Sequence, residues 1–217
     1  MRWTLVIPLK PLARAKSRLA GAVPDGVRPG LVLAFALDTV SAALSSPAVR
    51  DVAVVTHDAR AGRELSALGA LIVPDEPPDG LNAALAHGAA AVRAARPGCA
   101  LAALNADLPA LRPPELTRVL DAAAEFPRAF LPDAAGIGTT LLAAGPCREL
   151  SPAFGPRSRA RHRASGAVEV RVAGVDSVRR DVDTGEDLRA ALALGVGPRT
   201  AAACRAVPGA APAAGGQ

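Results

Sequence analysis

An apolar run that passes directly into a basic loop stands at residues 4–18: Thr4-Leu5-Val6-Ile7-Pro8-Leu9-Lys10-Pro11-Leu12-Ala13-Arg14-Ala15-Lys16-Ser17-Arg18. The run has the length and composition of a buried β-strand. Lys10 and Lys16 are the only lysines of the chain, whose other basic residues are all arginine. A flexible ammonium can follow a phosphate, whereas a planar guanidinium suits fixed bidentate contacts. The two lysines therefore indicate phosphate chemistry after a strand, with a solvated basic loop as the alternative.

The same alternation of short apolar runs with longer amphipathic segments continues along the chain and predicts an α/β fold. The predicted strands are Thr4–Leu9, Val52–Thr56, Ala70–Val73, Ala100–Asn105, Arg128–Pro132, Thr139–Ala144 and Val168–Val172. The predicted helices are Arg28–Leu44, Ala59–Leu68, Leu81–Ala95, Pro114–Glu125 and Thr184–Leu194. Because the chain has 217 residues and half of them are apolar, we expect one domain at residues 1–204 and a disordered Ala/Pro/Gly-rich tail at residues 205–217.

The charge, aromatic content and cysteine spacing of the sequence argue against several classes of function. The net charge of +5 would suit nucleic acid, but aromatic residues make up only 2% of the chain, so stacking platforms for bases are missing. Small anionic substrates explain local basic clusters equally well. Three widely spaced cysteines without a metal-ligand pattern suit a reducing compartment, and no apolar run predicts a signal peptide or a membrane span. We expect a cytoplasmic protein that binds neither nucleic acid nor membranes.

The ends of the predicted strands indicate where a ligand site would lie. In an open parallel sheet, ligands bind beyond the carboxyl ends of the strands. The segments that follow predicted strands carry most of the unusual polar residues: Lys10–Arg18, Thr56-His57-Asp58, Asp75–Asn82, Asp107-Leu108-Pro109 and the stretch after Thr139. The sequence therefore predicts a single large cleft.

Aspartates are the candidate metal ligands. Asp107 follows a buried strand and is well placed to hold Mg²⁺, which prefers oxygen ligands. In Asp181-Val182-Asp183-Thr184 we expect one carboxylate to face the site and the other to face away. Asp183 also precedes a predicted helix, so an N-cap is its alternative role. Two separated aspartates that share an ion with a nucleoside triphosphate would form a nucleotidyl-transfer site.

Glycine and arginine clusters lie further along the chain. Gly136-Ile137-Gly138-Thr139-Thr140 and Phe154-Gly155-Pro156-Arg157-Ser158 offer backbone N–H groups and hydroxyls to an anion. Four arginines fall within Arg157–Arg163, and on a helix they form like-charge i,i+4 pairs that favour a bound anion. A solvated face or a nucleic-acid patch is the alternative. Neither GxxxxGK nor GxGxxG occurs, which argues against kinases and dehydrogenases, and no serine or cysteine has the context of a covalent nucleophile.

Taken together and in order, these segments resemble one family, the guanylyltransferases of deazaflavin coenzyme F-420 biosynthesis, which act on 2-phospho-L-lactate or phosphoenolpyruvate. The resemblance covers residues 4–198 and includes Gly80-Leu81-Asn82 and Ser165-Gly166-Ala167. It implies a single-domain, Rossmann-like three-layer α/β sandwich of the nucleotide-diphospho-sugar-transferase type, with a mostly parallel mixed sheet.

The resemblance also implies the reaction and its residues. GTP would donate a guanylyl group to the phosphate of a small three-carbon acid, and the product would pass to the next enzyme of the pathway. The implied catalytic residues are Lys16, Asp107 and Asp183; the GTP-binding residues are Lys10, Lys16, Arg18 and Asn82; the Mg²⁺ ligands are Asp107, Asp181 and Asp183; the phosphoenolpyruvate-binding residues are Thr139, Gly155 and Ser158, with Arg161 and His162 as neighbours. The oligomeric state, including a homodimer, stays open.

Two positions depart from the family pattern, and two other readings remain. Ala106 stands where glycine is common, and Arg157 stands where an acidic residue is frequent. The arginine-rich composition of the sequence favours the actinobacterial branch of the family, and therefore phosphoenolpyruvate as acceptor.

A molybdopterin or sugar-phosphate nucleotidyltransferase is a second interpretation, although the glycine-rich loop typical of those enzymes is missing from Pro8–Arg18. A nucleic-acid-binding module that uses Arg157–Arg163 is the third.

Overall fold

A computed structural model describes residues 1–12, 16–19, 21–75 and 80–206 of the protein. Part of the basic loop (13–15), part of the Asp75–Asn82 segment (76–79) and nearly all of the predicted tail (207–217) lie outside the described residues. In the described part, no helix is long and apolar enough to cross a membrane.

All seven predicted strands are present in one sheet: β1 (Trp3–Pro8), β2 (Val49–Val55), β3 (Leu71–Val73), β4 (Leu101–Leu104), β5 (Arg128–Pro132), β6 (Thr139–Ala144) and β7 (Val168–Glu169). The strand order is β3-β2-β1-β4-β6-β5-β7. Only β6 runs antiparallel to its neighbours, and every other pair is parallel. Strand β7 is shorter than predicted because its pairing with β5 covers only Ala129 and Phe130. The mostly parallel mixed sheet is confirmed.

The helices of the described residues are α1 (Arg28–Leu44), α2 (Ala59–Ser66), α3 (Leu81–Ala95), α4 (Pro113–Ala123), α5 (Ser158–Ala164), α6 (Asp176–Arg179), α7 (Gly185–Leu194) and α8 (Pro198–Arg205), and a 3₁₀ turn covers Ser17–Leu19. The five predicted helices are all present, whereas α5, α6 and α8 were not predicted as elements. Helices α5 and α6 have only 7 and 4 residues, and α8 has 8. Arg205, predicted to begin the tail, is instead the last residue of α8.

A buried aspartate explains why α8 forms where it does. Asp38 of α1 is 4% exposed, and its carboxylate accepts hydrogen bonds from the backbone N–H groups of Arg199 and Thr200 at 3.3 and 2.7 Å. These N–H groups belong to the first helical turn, where no carbonyl of the same helix is available as an acceptor. A Cβ on Gly197 would lie 2.4 Å from the Asp38 carboxyl carbon, so the approach requires glycine. A tertiary contact therefore determines the start of this helix.

The core has two layers because side chains alternate along the strands. Trp3, Leu5 and Ile7 pack on one face of β1 against α1 and α4, whereas Val6 packs on the other face against α3. Helix α3 approaches closely at Gly88, where a Cβ would lie within 3 Å of methyl groups of two strand valines. Helices thus cover both faces of the sheet, which confirms the three-layer α/β class.

Candidate active site

A cleft of about 620 Å³ lies at the carboxyl ends of β1 and β4. Since β6 runs antiparallel to β4, its first residue, Thr139, lies at this same edge of the sheet. The charged residues of the lining are equally divided between the two signs: Lys10, Lys16, Arg18 and Arg157 are basic, and Asp107, Asp133, Asp181 and Asp183 are acidic. One cleft therefore unites the segments that follow β1 and β4 and the start of β6, as expected for an open α/β sheet. Thr56-His57-Asp58, which we also expected at the cleft, is not part of its lining.

Lys16 is the centre of the charged part of the cleft. Its ammonium contacts Asp107 Oδ2 and lies 2.5 Å from Asp183 Oδ1. The Lys16 side chain is 14% exposed, and the backbone of Lys16 has a φ of 58°, which is unusual outside glycine. Burial by itself would lower the pKa of Lys16, but Asp107 and Asp183 raise this pKa above its ordinary value. Lys16 is therefore charged throughout the neutral pH range. It contacts two aspartates that lie 91 and 167 positions after it in the sequence.

The 181–183 segment turns both of its aspartates toward the cleft. Val182 is fully buried, and its N–H donates to the Asp107 carbonyl oxygen at 3.0 Å. Our expectation that one aspartate faces away was wrong, because residues two apart in an extended segment share a face. Asp183 is also not the N-cap of α7. Thr184 holds that position in a reciprocal capping box with Asp187, so the Asp183 carboxylate is free to face Lys16.

The aspartates suit a divalent cation by their chemistry. Among the described residues, which exclude 13–15 of the basic loop, the buried Asp107 Oδ1 has no hydrogen-bond partner. Burial and the charges of Asp107 and Asp183 raise the pKa of Asp181 to about 8, and Asn105 Nδ2 lies 3.3 Å from Asp181 Oδ2. Within residues 1–12, 16–19, 21–75 and 80–206, no three ligating side chains already lie at metal-ligand spacing. A cation would therefore complete its shell with water or substrate oxygens, as Mg²⁺ commonly does, and would compete with Lys16 for the same carboxylates.

The predicted GTP-binding residues fall into two groups. Lys10, Lys16 and Arg18 line the cleft. Leu12 N–H donates to Asp58 Oδ2 at 3.1 Å, so the residue that caps α2 also anchors the start of the basic loop. Asn82 lies behind the cleft lining, where its amide group makes two hydrogen bonds to the backbone of Phe154, at 2.7 and 3.0 Å. Its contact with the nucleoside stays a prediction.

The predicted acceptor-binding residues also fall into two groups, one in the cleft lining and one behind it. Thr139, Gly155 and Ser158 line the cleft, whereas Arg161 and His162 do not. Arg161 donates to the Phe154 carbonyl oxygen at 2.9 Å, and His162 is fully buried between Thr139 and Ala153.

The glycine turn before β6 is held by a residue that sequence reasoning missed. Both oxygens of Asp133 accept hydrogen bonds at 2.9 Å, one from Ile137 N–H and one from Gly138 N–H. These two N–H groups are therefore not available to an anion, contrary to our expectation for this turn. A Cβ at Gly138 would lie 2.4 Å from Asp133 Oδ2, which explains the second glycine. An aspartate just before a glycine-rich turn is a signal that could have revealed this role.

Most of the arginine cluster is paired inside the protein. Arg159 binds Glu169 with two hydrogen bonds of 2.9 and 2.8 Å, and Arg163 binds the same carboxylate at 2.5 Å. With Arg161 bound to Phe154, Arg157 is the member of the cluster that lines the cleft. Glu169 in β7 thus relieves the repulsion expected along α5, which weakens the case for a nucleic-acid surface.

Burial of His162 predicts a pH-dependent stability. Burial, then the charges of Arg128 and Arg161, lower the pKa of His162 to about 4, from an unfolded value of 6.5. Between these values the unfolded chain binds the proton and the folded chain does not, so the free energy of unfolding falls as the pH falls. We expect His162 to account for a loss of at most about 3 kcal/mol across this window. Urea titrations at several pH values check this: His162→Gln should flatten the slope between pH 6.5 and 4, whereas an unchanged slope would contradict it.

Comparison with known proteins identifies the family. A model of the MobA-like NTP transferase domain matches residues 34–172. A phosphoenolpyruvate guanylyltransferase of Streptomyces coelicolor is 76% identical over 202 residues, which cover 93% of this chain and 95% of the relative. The protein of the same name from Streptomyces avermitilis is 77% identical over 203 residues, 94% of each chain. The chain belongs to the phosphoenolpyruvate guanylyltransferase family. The protein is thus a nucleotidyltransferase enzyme, which confirms the resemblance seen in its motifs.

Solved structures share the fold of this protein. A protein of Desulfovibrio desulfuricans G20 described as a nucleotide-diphospho-sugar transferase superposes with a TM-score of 0.59 at 15% identity, covering 89% of this chain and 97% of that one. Rv0371c of Mycobacterium tuberculosis H37Rv, solved in complex with manganese, superposes with a TM-score of 0.56 at 22% identity and covers 89% and 99%. The predicted nucleotide-diphospho-sugar-transferase fold is confirmed.

Proposed function

We propose that this enzyme transfers GMP from GTP to the phosphate of phosphoenolpyruvate, giving enolpyruvyl-2-diphospho-5'-guanosine and pyrophosphate, in coenzyme F-420 biosynthesis. The names of the highly identical relatives support this choice of donor and acceptor. The observation that carries it is a single cleft with two different sides: Lys16 between Asp107 and Asp183 on one, and the hydroxyls of Thr139 and Ser158 on the other.

The charged side suits the triphosphate. Lys10, Lys16 and Arg18 would bind the β- and γ-phosphates and stabilise the charge that leaves with pyrophosphate. Bound Mg²⁺, held by Asp107, Asp183 and, with an additional contact, Asp181, would neutralise charge on the α-phosphate and the leaving group. The orphaned Asp107 Oδ1 supports such a ligand set.

The other side suits a small phosphorylated acid. A phosphate oxygen of the acceptor would attack the α-phosphorus of GTP, and the bond from this phosphorus to the bridging oxygen would break to release pyrophosphate. An acceptor phosphate is already ionised at neutral pH, so the step requires no general base. Thr139 and Ser158 would hold the acceptor in line, and catalysis would consist mainly of positioning and charge stabilisation.

A substrate panel tests this function. GTP or ATP is offered with phosphoenolpyruvate, 2-phospho-L-lactate or 3-phosphoglycerate, with Mg²⁺ or with a chelator, and pyrophosphate is measured. We expect release with GTP, phosphoenolpyruvate and Mg²⁺, and at least a 10²-fold loss when the metal is chelated. Faster release with 2-phospho-L-lactate would favour the second acceptor, which differs only by one saturated bond. Absence of release with every pair would contradict the guanylyl transfer.

A further inference from the structure

Three side chains behind the cleft hold one short piece of backbone. Ala153 N–H donates to His162 Nε2 at 3.0 Å. Phe154 N–H donates to Asn82 Oδ1 at 2.7 Å, and the Phe154 carbonyl oxygen accepts from Asn82 Nδ2 at 3.0 Å and from Arg161 at 2.9 Å. The helices α3 and α5, on which these side chains lie, thereby fix the start of the 153–158 loop that brings Gly155 and Ser158 to the cleft.

The hydrogen bonds of His162 have a fixed direction. Because a backbone N–H can only donate, Nε2 of His162 must be the acceptor, and in the neutral ring the proton is then on Nδ1. Nδ1 lies 3.0 Å from Thr139 Oγ1 and donates to it. The low pKa of His162, caused by burial and by Arg128 and Arg161, keeps the ring in this neutral form.

Thr139 thereby keeps its own hydroxyl proton for a second partner. One lone pair of its hydroxyl is occupied by His162, so its own proton points elsewhere, and Thr139 lines the cleft. A hydroxyl with this polarity favours a negatively charged oxygen over a hydrogen-bond donor.

We infer that Asn82 and His162 are positioning residues for the acceptor: they hold the 153–154 backbone, and His162 directs the Thr139 hydroxyl at an anionic group of the bound acid. The inference rests on the proposed function, because it assigns this side of the cleft to the acceptor. It differs from the sequence-based prediction, in which Asn82 contacts the nucleoside.

Asn82→Ala separates the two roles of Asn82. Steady-state pyrophosphate release is measured with GTP varied and then with phosphoenolpyruvate varied. We expect the KM for phosphoenolpyruvate to rise about tenfold and the KM for GTP to stay within about twofold, the size of effect given by one or two lost hydrogen bonds. A rise in the KM for GTP alone would overturn the inference.

A double-mutant cycle tests whether His162 acts through Thr139. Thr139→Val removes the hydroxyl at nearly constant shape, and His162→Gln removes the Nδ1–H donor. We expect each to raise the KM for phosphoenolpyruvate about tenfold and the pair to raise it little further, whereas a purely structural effect of His162 would multiply with that of Thr139. His87→Gln, the same change at an exposed position of α3, is the control.

The possible results are distinguishable. If wild-type enzyme releases no pyrophosphate with any acceptor, the proposed function fails. If wild-type turns over and the effects of Thr139→Val and His162→Gln multiply, the inference fails while the function stands. Should His162→Gln fail to fold, as judged by circular dichroism, the Asn82→Ala result alone decides.

Discussion

Replacing Asp107 by alanine is expected to reduce turnover by about 10³-fold or more while the protein keeps its fold. The carboxylate contacts Lys16 through Oδ2, and its buried Oδ1 has no partner in the part of the chain that the structure describes, so the carboxylate is placed for a ligand and not for packing. The contacts that tie this turn to the rest of the protein are made by the backbone. The Asp107 carbonyl accepts from Val182 N–H, and the next N–H, of Leu108, donates to Thr39 Oγ1 at 3.1 Å.

Pyrophosphate release and thermal unfolding check this expectation together. Asp121→Ala, the same change at an exposed position of α4, is the matched control and should leave turnover unchanged. A folded Asp107→Ala variant with near-normal turnover would contradict both the metal assignment and the role of this carboxylate.

Replacing Lys16 by alanine should lower kcat/KM for GTP by about 10²-fold, with a smaller effect on the KM for the acceptor. The ammonium lies between Asp107 and Asp183, and without it the four carboxylates of the cleft lining repel the triphosphate more strongly. Alanine keeps the Cβ, so the cost of the positive φ at this position does not change.

Lys16→Arg distinguishes position from charge. A guanidinium keeps the charge but is larger and planar, so we expect only partial recovery of GTP use. Arg63→Ala, at an exposed position of α2, controls for the loss of one positive charge. Normal GTP affinity and turnover in Lys16→Ala would mean that the two lysines have no role in phosphate binding.

The fold was largely predictable because its signals are local. Short apolar runs gave all seven strands, and amphipathic repeats gave the helices α1, α2, α3, α4 and α7. Strand order was not predictable, since it depends on which crossovers bury the most surface. Helix α8 was also missed, because the buried Asp38 that caps it is about 160 residues away in sequence.

The site was predicted in part, because some of its residues are next to strands that local sequence patterns reveal. The cleft lining includes Lys16, Asp107 and Thr139, which follow or begin strands, and Asp181 and Asp183, which lie between α6 and α7. Asp133 was missed because we interpreted the glycine-rich turn after it as an anion site, whereas the N–H groups of Ile137 and Gly138 bind Asp133 instead. The hydrogen-bond partners of Asn82, Arg161 and His162 were not accessible either, because each bonds to backbone that only the folded chain brings near.

The sequence by itself determined the α/β class, the family and the identity of the charged residues at the strand ends. Composition, periodicity and residue order are sufficient for these, because strands and their following loops form from neighbouring residues. Only the tertiary structure decided which polar residues line the cleft and which lie behind it and hold the loops of its lining. Thr139 and His162 are 23 residues apart in sequence. Because the Ala153 N–H donates to Nε2 of His162, the ring proton is on Nδ1 and points at the Thr139 hydroxyl. Such directions depend on distances and burial, and no local pattern encodes them.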